Sequence, residues 1–144
     1  MKQPHVFTSY AGENHGNLQD VRSVASNPNH LITFVDRSLA DPVLNDYGHI
    51  NRRPPSDPAS EPVKKKIREL LQQSGKLLVL VGPNTHSHEW VLWEIKTFLQ
   101  IHNDKERVLF MRIPGDHYSG MPQEYRDFEL HNWNTSILAR WLQR

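Results

Sequence analysis

The chain has 144 residues, no cysteine and a formal net charge of +1. A hydrophobic fraction of 37% and a charged fraction of 23% suit one domain built around one core. These figures exclude disulfides, cysteine-ligated zinc and a cysteine nucleophile, and they give no whole-chain electrostatic reason to bind nucleic acid or a membrane.

The opening MKQPHVFTSY lacks the apolar stretch of a signal peptide. It runs into a strand candidate of β-branched and aromatic residues, VFTSY (6–10). LQDVRSVA (18–25) reads as a short amphipathic helix, and LITFVD (31–36) as a second strand ending in an aspartate. Residues 41–62 then hold five of the ten prolines, including the run NRRPPSDPASEP. That stretch is too long and proline-rich for a simple connection, and two readings stay open, an ordered lid and a mobile loop. EPVKKKIRELLQQSG (61–75) predicts a helix with Pro62 in its first turn, Val63, Ile67, Leu70 and Leu71 on one side and Gly75 as C-cap. Its cluster Lys64, Lys65, Lys66 and Arg68 reads as a solvated face.

KLLVLVG (76–82) and VLFMRIP (108–114) are nearly unbroken apolar runs closed by proline or Gly-Pro. Such strands are buried on both faces, as in a parallel sheet. A helix over residues 86–102 separates them, residues 115–133 read as irregular, and TSILARWL (135–142) closes the chain as a helix capped by Asn134 or Thr135. Alternating strand and helix predicts one α/β domain with a central parallel sheet flanked by helices. No run is long and apolar enough to span a membrane. The expectation is a soluble cytoplasmic protein.

HSHEWVLWEIKTFL (86–99) carries an acid among apolar neighbours. At about 100° per residue, Val91, Ile95, Phe98, Leu99 and Leu92 share one arc, with Glu89, Lys96, Thr97 and Gln100 opposite. Glu94 falls at the edge of the apolar arc, in a stripe with Trp90 and Ser87. This spacing leaves two readings open. One is a surface carboxylate paired with a lysine or arginine from another element. The other is a carboxylate beside a tryptophan-lined pocket, where it holds sugar hydroxyls or acts as nucleophile or base.

Taken in order, VFTSY with AGEN, FVDRS, and IRELLQQSGKLLVLVGPNTHSHEWVLWEI resemble the TIR-like, ThsB-type proteins of bacterial Thoeris antiphage systems. The matching elements are Val6 to Tyr10, Asp36 with Ser38, Ile67 to Leu71, Val81 to Thr85, and Trp90-Val91 with Glu94-Ile95. They cover about residues 5–102. The resemblance implies a flavodoxin-like, three-layer fold over the whole chain and an active site that consumes NAD. By motif, Glu94 corresponds to the glutamate required for cleaving the nicotinamide–ribose bond. The implied product is a cyclic or conjugated ADP-ribose signal that acts on a separate effector protein. NAD is then the substrate, with no tightly bound cofactor, and self-association is possible in this class.

Under this reading Tyr10 and Trp90 are candidates to stack on a base. Ser9, Asn14, Asp36, Ser38, Asn84 and Ser87 are further substrate-binding candidates, together with the backbone at Gly12 and Gly82. Two departures stand out. Arg37 lies between Asp36 and Ser38, where a smaller residue is expected, and GDHYSGMPQEYRDFELHNW (115–133) is particular to this chain.

The alternatives are a non-catalytic TIR-like interaction module and a nucleoside or deoxyribosyl transferase on the same fold, which also uses a glutamate at a ribose carbon. His86 and His88 do not form HExxH and would need a third ligand, so no metal is expected. No G-x-S-x-G, phosphate loop or G-x-G-x-x-G is present. A response-regulator receiver would want paired acids after its first strand and a lysine after its last; only Glu13 is offered, and VLFMRIP has no lysine.

Overall fold

The computed structural model of the chain describes residues 5–10, 35–36, 54–83 and 89–143. Five strands form one sheet: β1 (His5–Ser9), β2 (Val35–Asp36), β3 (Lys76–Val81), β4 (Val108–Arg112) and β5 (Leu130–His131). Their order is β2-β1-β3-β4-β5, and every neighbouring pair is parallel. This is the flavodoxin-like order, in which the chain leaves β1 toward one edge and returns through β3 to build the other. The predicted helix at 18–25 and residues 31–34 of the second strand lie outside the described residues.

Alternation along the strands sorts side chains onto two faces. Phe7, Leu77, Val79, Val81, Val108 and Phe110 meet two helices, α1 (Glu61–Gln73) and α2 (Glu89–His102). Val6, Leu78, Leu80, Leu109 and Met111 meet α3 (Thr135–Gln143) through Leu138, Trp141 and Leu142. The apolar runs are therefore explained: β3 has helices on both sides, and Leu77 to Val81 are all fully buried.

Local chemistry sets the helix ends. Pro62 sits in the first turn of α1, as its missing N–H allows. The C-cap of α1 is Ser74 and not Gly75: the Ser74 N–H bonds Leu70 and Leu71 carbonyls, and its hydroxyl donates to Leu70 O at 2.7 Å. Gly75 instead starts the next ladder, donating its N–H to His5 O at 2.9 Å. Helix α2 ends on Asn103, whose φ of 48° is the left-handed conformation asparagine tolerates at a helix end. Asn134 is the cap of α3, its Oδ1 accepting from Ser136 N and Ile137 N at 2.9 and 3.0 Å.

The two irregular regions are structured where described. Within the proline-rich stretch, residues 54–60 turn tightly into α1: Asp57 N bonds Pro54 O at 3.0 Å, and the Ser60 hydroxyl donates to the same carbonyl at 2.8 Å. Residues 41–53 lie outside the described residues. In 115–133, Asp116 Oδ1 accepts from the N–H of Tyr118 and Ser119, and Arg112 Nε donates to Ser119 O at 2.8 Å. Tyr125 and Phe128 then pack on Phe110, with ring centroids 6.2 and 5.1 Å away. This packing carries the chain to β5, a two-residue strand too short to be read from the sequence. No described helix is long and apolar enough to cross a membrane.

Asn134→Ala removes both capping acceptor bonds of α3, whose apolar side closes one layer. The expected loss is about 1 kcal/mol in denaturant unfolding, and Asn134→Asp should recover most of it.

Candidate functional site

Helix α2 buries Val91, Glu94, Ile95, Thr97 and Phe98. Glu94 is 0% exposed, which corrects the surface-carboxylate reading and its place at the edge of the buried arc. Thr97, expected on the polar side, is 6% exposed, while Leu92 and Leu99 are only half-buried. The reason lies in α1. It packs beside α2 on the same face of the sheet, and its Arg68 guanidinium lies 5.8 Å from the Trp93 ring centroid. Helix α2 is thus covered below by strands and laterally by a helix, so its buried sector is rotated toward Glu94 and Thr97.

The partner of Glu94 comes from the sheet. Ser9, the last residue of β1, donates its hydroxyl to Glu94 Oε1 at 2.6 Å. Both residues are 0% exposed. Among the described residues, Glu94 Oε2 is a buried oxygen with no hydrogen-bond partner. The pair lies at the carboxyl end of β1, beside β3, where the strand order reverses. In open parallel sheets ligands bind at that switch point.

Enclosure dominates the electrostatics. Burial pushes the Glu94 carboxyl up to about 8, and the Ser9 hydrogen bond offsets this only in part. At neutral pH the resting group is a neutral acid.

The other candidates scatter. Trp90 is one turn before Glu94 on α2, half-buried and edge-on to Trp93 at 5.7 Å. Tyr10 is 3% exposed and packs with Val6, Leu80 and Met111 on the opposite face, away from Glu94. The Asp36 backbone pairs with Val6, three residues before Ser9 and so about 10 Å lower along β1. Gly82 is buried directly after β3. Asn14, Ser38, Asn84 and Ser87 lie outside the described residues, as do Gly12, His86 and His88. Among the described residues no His, Asp or Glu side chains group as metal ligands.

The sequence reading overlooked Arg112. It ends β4 on the face of Val108 and Phe110, with Nη1 donating to Asn132 Oδ1 at 2.8 Å, and brings a cation to the strand ends. A lone arginine closing an apolar strand was the available signal. A cavity of about 470 Å³ lies elsewhere, at the amino end of β4, lined by Lys105, Phe128, His131, Arg140 and Trp141 among others. It contains none of the candidate residues.

The raised Glu94 value is also a stability statement. The folded chain keeps this proton up to about pH 8, while the unfolded chain releases it near 4.5. Between those values the unfolded state binds fewer protons, so stability falls as pH rises and levels off above about 8. Relative to Glu94→Gln, the parent should lose up to about 1.4 kcal/mol per pH unit across that window in chemical unfolding. A pH-independent difference would mean the carboxyl is not enclosed in solution.

Comparison with known families bears on the fold. A family model described as Thoeris protein ThsB, TIR-like domain, matches residues 7–118. That span runs from β1 through α1, β3, α2 and β4, includes Ser9 and Glu94, and stops within the irregular segment 115–133. No curated protein matches the chain significantly. The family match covers well over half the sequence and coincides with the parallel flavodoxin-like sheet, so the chain belongs to the ThsB TIR-like family of Thoeris proteins.

Proposed function

We propose that this protein is an NAD-consuming enzyme that breaks the nicotinamide–ribose bond and makes a cyclic or conjugated ADP-ribose signal in antiphage defence. The observation that carries the reading is Glu94: a carboxyl at the switch point, with one oxygen held by Ser9 and the other unpartnered among the described residues. An enclosed, unsatisfied acid costs stability unless it serves another purpose, and perturbed groups of this kind cluster at functional sites.

The chemistry needs little more from the protein. Nicotinamide leaves with the electron pair of the glycosidic bond, which cancels the charge on its ring nitrogen. The ribose left behind is oxocarbenium-like at C1′. An ionised Glu94 beside that ring stabilises the positive charge and accepts hydrogen bonds from the ribose hydroxyls. Trp90, one turn away, offers an aromatic face for a base. Attack by water gives ADP-ribose. Attack by an adenine nitrogen or a hydroxyl of the same molecule gives a cyclic product, and excluding water favours that path. Either nucleophile gives up its proton. The signal then acts on a separate effector protein in the cytoplasm, and self-association of the enzyme is compatible with this role.

A second reading, a non-catalytic interaction module, draws on one observation: Glu94 is fully enclosed, so substrate reaches it only after a neighbour moves. The two readings separate on one assay. The purified protein should release nicotinamide from NAD, and Glu94→Gln should lower the rate on the order of 10²-fold or more. Since the ionised carboxylate is the active form and its value is about 8, kcat/KM should rise from pH 6 to a plateau above about pH 8. Absence of release from NAD by the parent at every pH and at high protein concentration, with no nucleobase released from deoxynucleosides, favours the interaction module. Release of nucleobase from deoxynucleosides but not from NAD would place the protein with the transferases.

A further inference from the structure

Resting on that reading, we infer that Ser9 is a positioning residue, which holds the Glu94 carboxyl in the orientation that leaves Oε2 free to meet substrate. Its role is then to act through Glu94, and not to bind the substrate diphosphate.

The argument starts from where the hydroxyl is mounted. Ser9 belongs to β1, an interior strand of the sheet, and its backbone is in register with Val79 of β3. That makes it a rigid anchor. Glu94 has three side-chain torsions between the α2 backbone and its carboxyl. Left alone, it would lose its direction among several rotamers. One short bond of 2.6 Å between residues 85 positions apart removes that freedom. Because Ser9 uses only Oε1, the carboxyl keeps one oxygen for a ligand, and that oxygen is buried and unpartnered among the described residues. A metal-like or cationic partner would have fixed the group more strongly, at the cost of the very charge the reaction needs.

The surrounding charges leave this task to Ser9. On α1, Lys64 pairs with Glu61 at 3.4 Å, and Arg68 lies over the Trp93 ring and 4.0 Å from Glu61. On α2, Glu89 and Lys96 are exposed. On β3, Lys76 is at the far, amino end and donates to Trp141 O. On β1, His5 is likewise at the amino end, and on β4 the Arg112 guanidinium donates to Ser119 O and Asn132 Oδ1. Among the described residues no charged group pairs with Glu94; burial and the Ser9 hydroxyl are what set its protonation.

The test uses Ser9→Ala and Ser9→Thr in the full chain, with circular dichroism to confirm folding. The first readout is independent of NAD: carbon-13 titration of the glutamate side-chain carboxyls, with Glu94 assigned by the signal missing from Glu94→Gln. The hydroxyl favours the ionised form, so its loss should raise the Glu94 midpoint by about one pH unit. Ser9→Thr, which keeps a hydroxyl, should return the midpoint toward that of the parent. The second readout is nicotinamide release. Ser9→Ala should lower kcat about tenfold at pH 7 with KM within about twofold, and move the rising limb of the pH profile alkaline by the same amount. An unchanged midpoint and profile in Ser9→Ala would overturn the proposal, since a residue that only fills space moves neither. A large rise in KM with kcat intact would also overturn it, because that is the mark of a substrate contact. If the carboxyl titration moves but the parent releases no nicotinamide, the Ser9–Glu94 coupling stands and the NAD reading fails instead.

Discussion

Strand β3 is enclosed on both faces, and this constraint organises the molecule. Leu77 to Val81 alternate in direction, yet all five are fully buried. Burying both sides of one strand requires helices above and below the sheet. Helices α1 and α2 meet that requirement on one face and α3 on the other. Each helix must also be long enough to carry the chain back to the start of the next parallel strand. The carboxyl ends of β1 and β3 are thereby left at the rim where the strand order turns, and Ser9 and Glu94 meet there, both fully buried.

The same packing explains an otherwise costly choice. A carboxyl with no exposed surface cannot easily carry charge, and one hydroxyl does not repay the lost hydration. A leucine at this position would fit the layer better. The layer on this face is otherwise apolar, with Ile67 and Leu71 from α1, Val79 and Val81 from β3 and Phe110 from β4 in one buried cluster. Stability is held by the bulk of the layer, which accommodates one buried carboxyl.

Away from the site, the rest of the chain serves closure. The stretch after β4 is polar and irregular in sequence, yet Asp116 and Arg112 fix its turn and Tyr125 and Phe128 seat it on Phe110. It delivers β5 to the open edge of β4 and leads into α3. Trp141 then ties α3 to the opposite end of the sheet: its Nε1 donates to Glu106 O at 3.0 Å, and its backbone carbonyl accepts from Lys76 Nζ. The irregular segment 115–133 is therefore structural where it touches the core.

The sequence by itself determined the strands β1, β3 and β4, the three helices and the α/β class. Those follow from local rules: unbroken apolar runs, helical spacing, Pro62 at a helix start and Asn134 before another. It also singled out Glu94 and Ser9. It did not determine that the two meet, since 85 residues separate them and only the β1–α2 packing brings them to 2.6 Å. Nor did it determine the burial of Glu94. A helical wheel knows one helix and one average environment, whereas the sector buried here is set by a sheet below and α1 at the side. For the same reason Tyr10 turned out to be core: strand alternation fixes it opposite Ser9, but which face holds the carboxyl was decided by where α2 docks. Two-residue β5 had no pattern to read and exists only because β4 offers it an edge. Local composition fixed the elements, and long-range packing fixed which of their polar atoms are free to act.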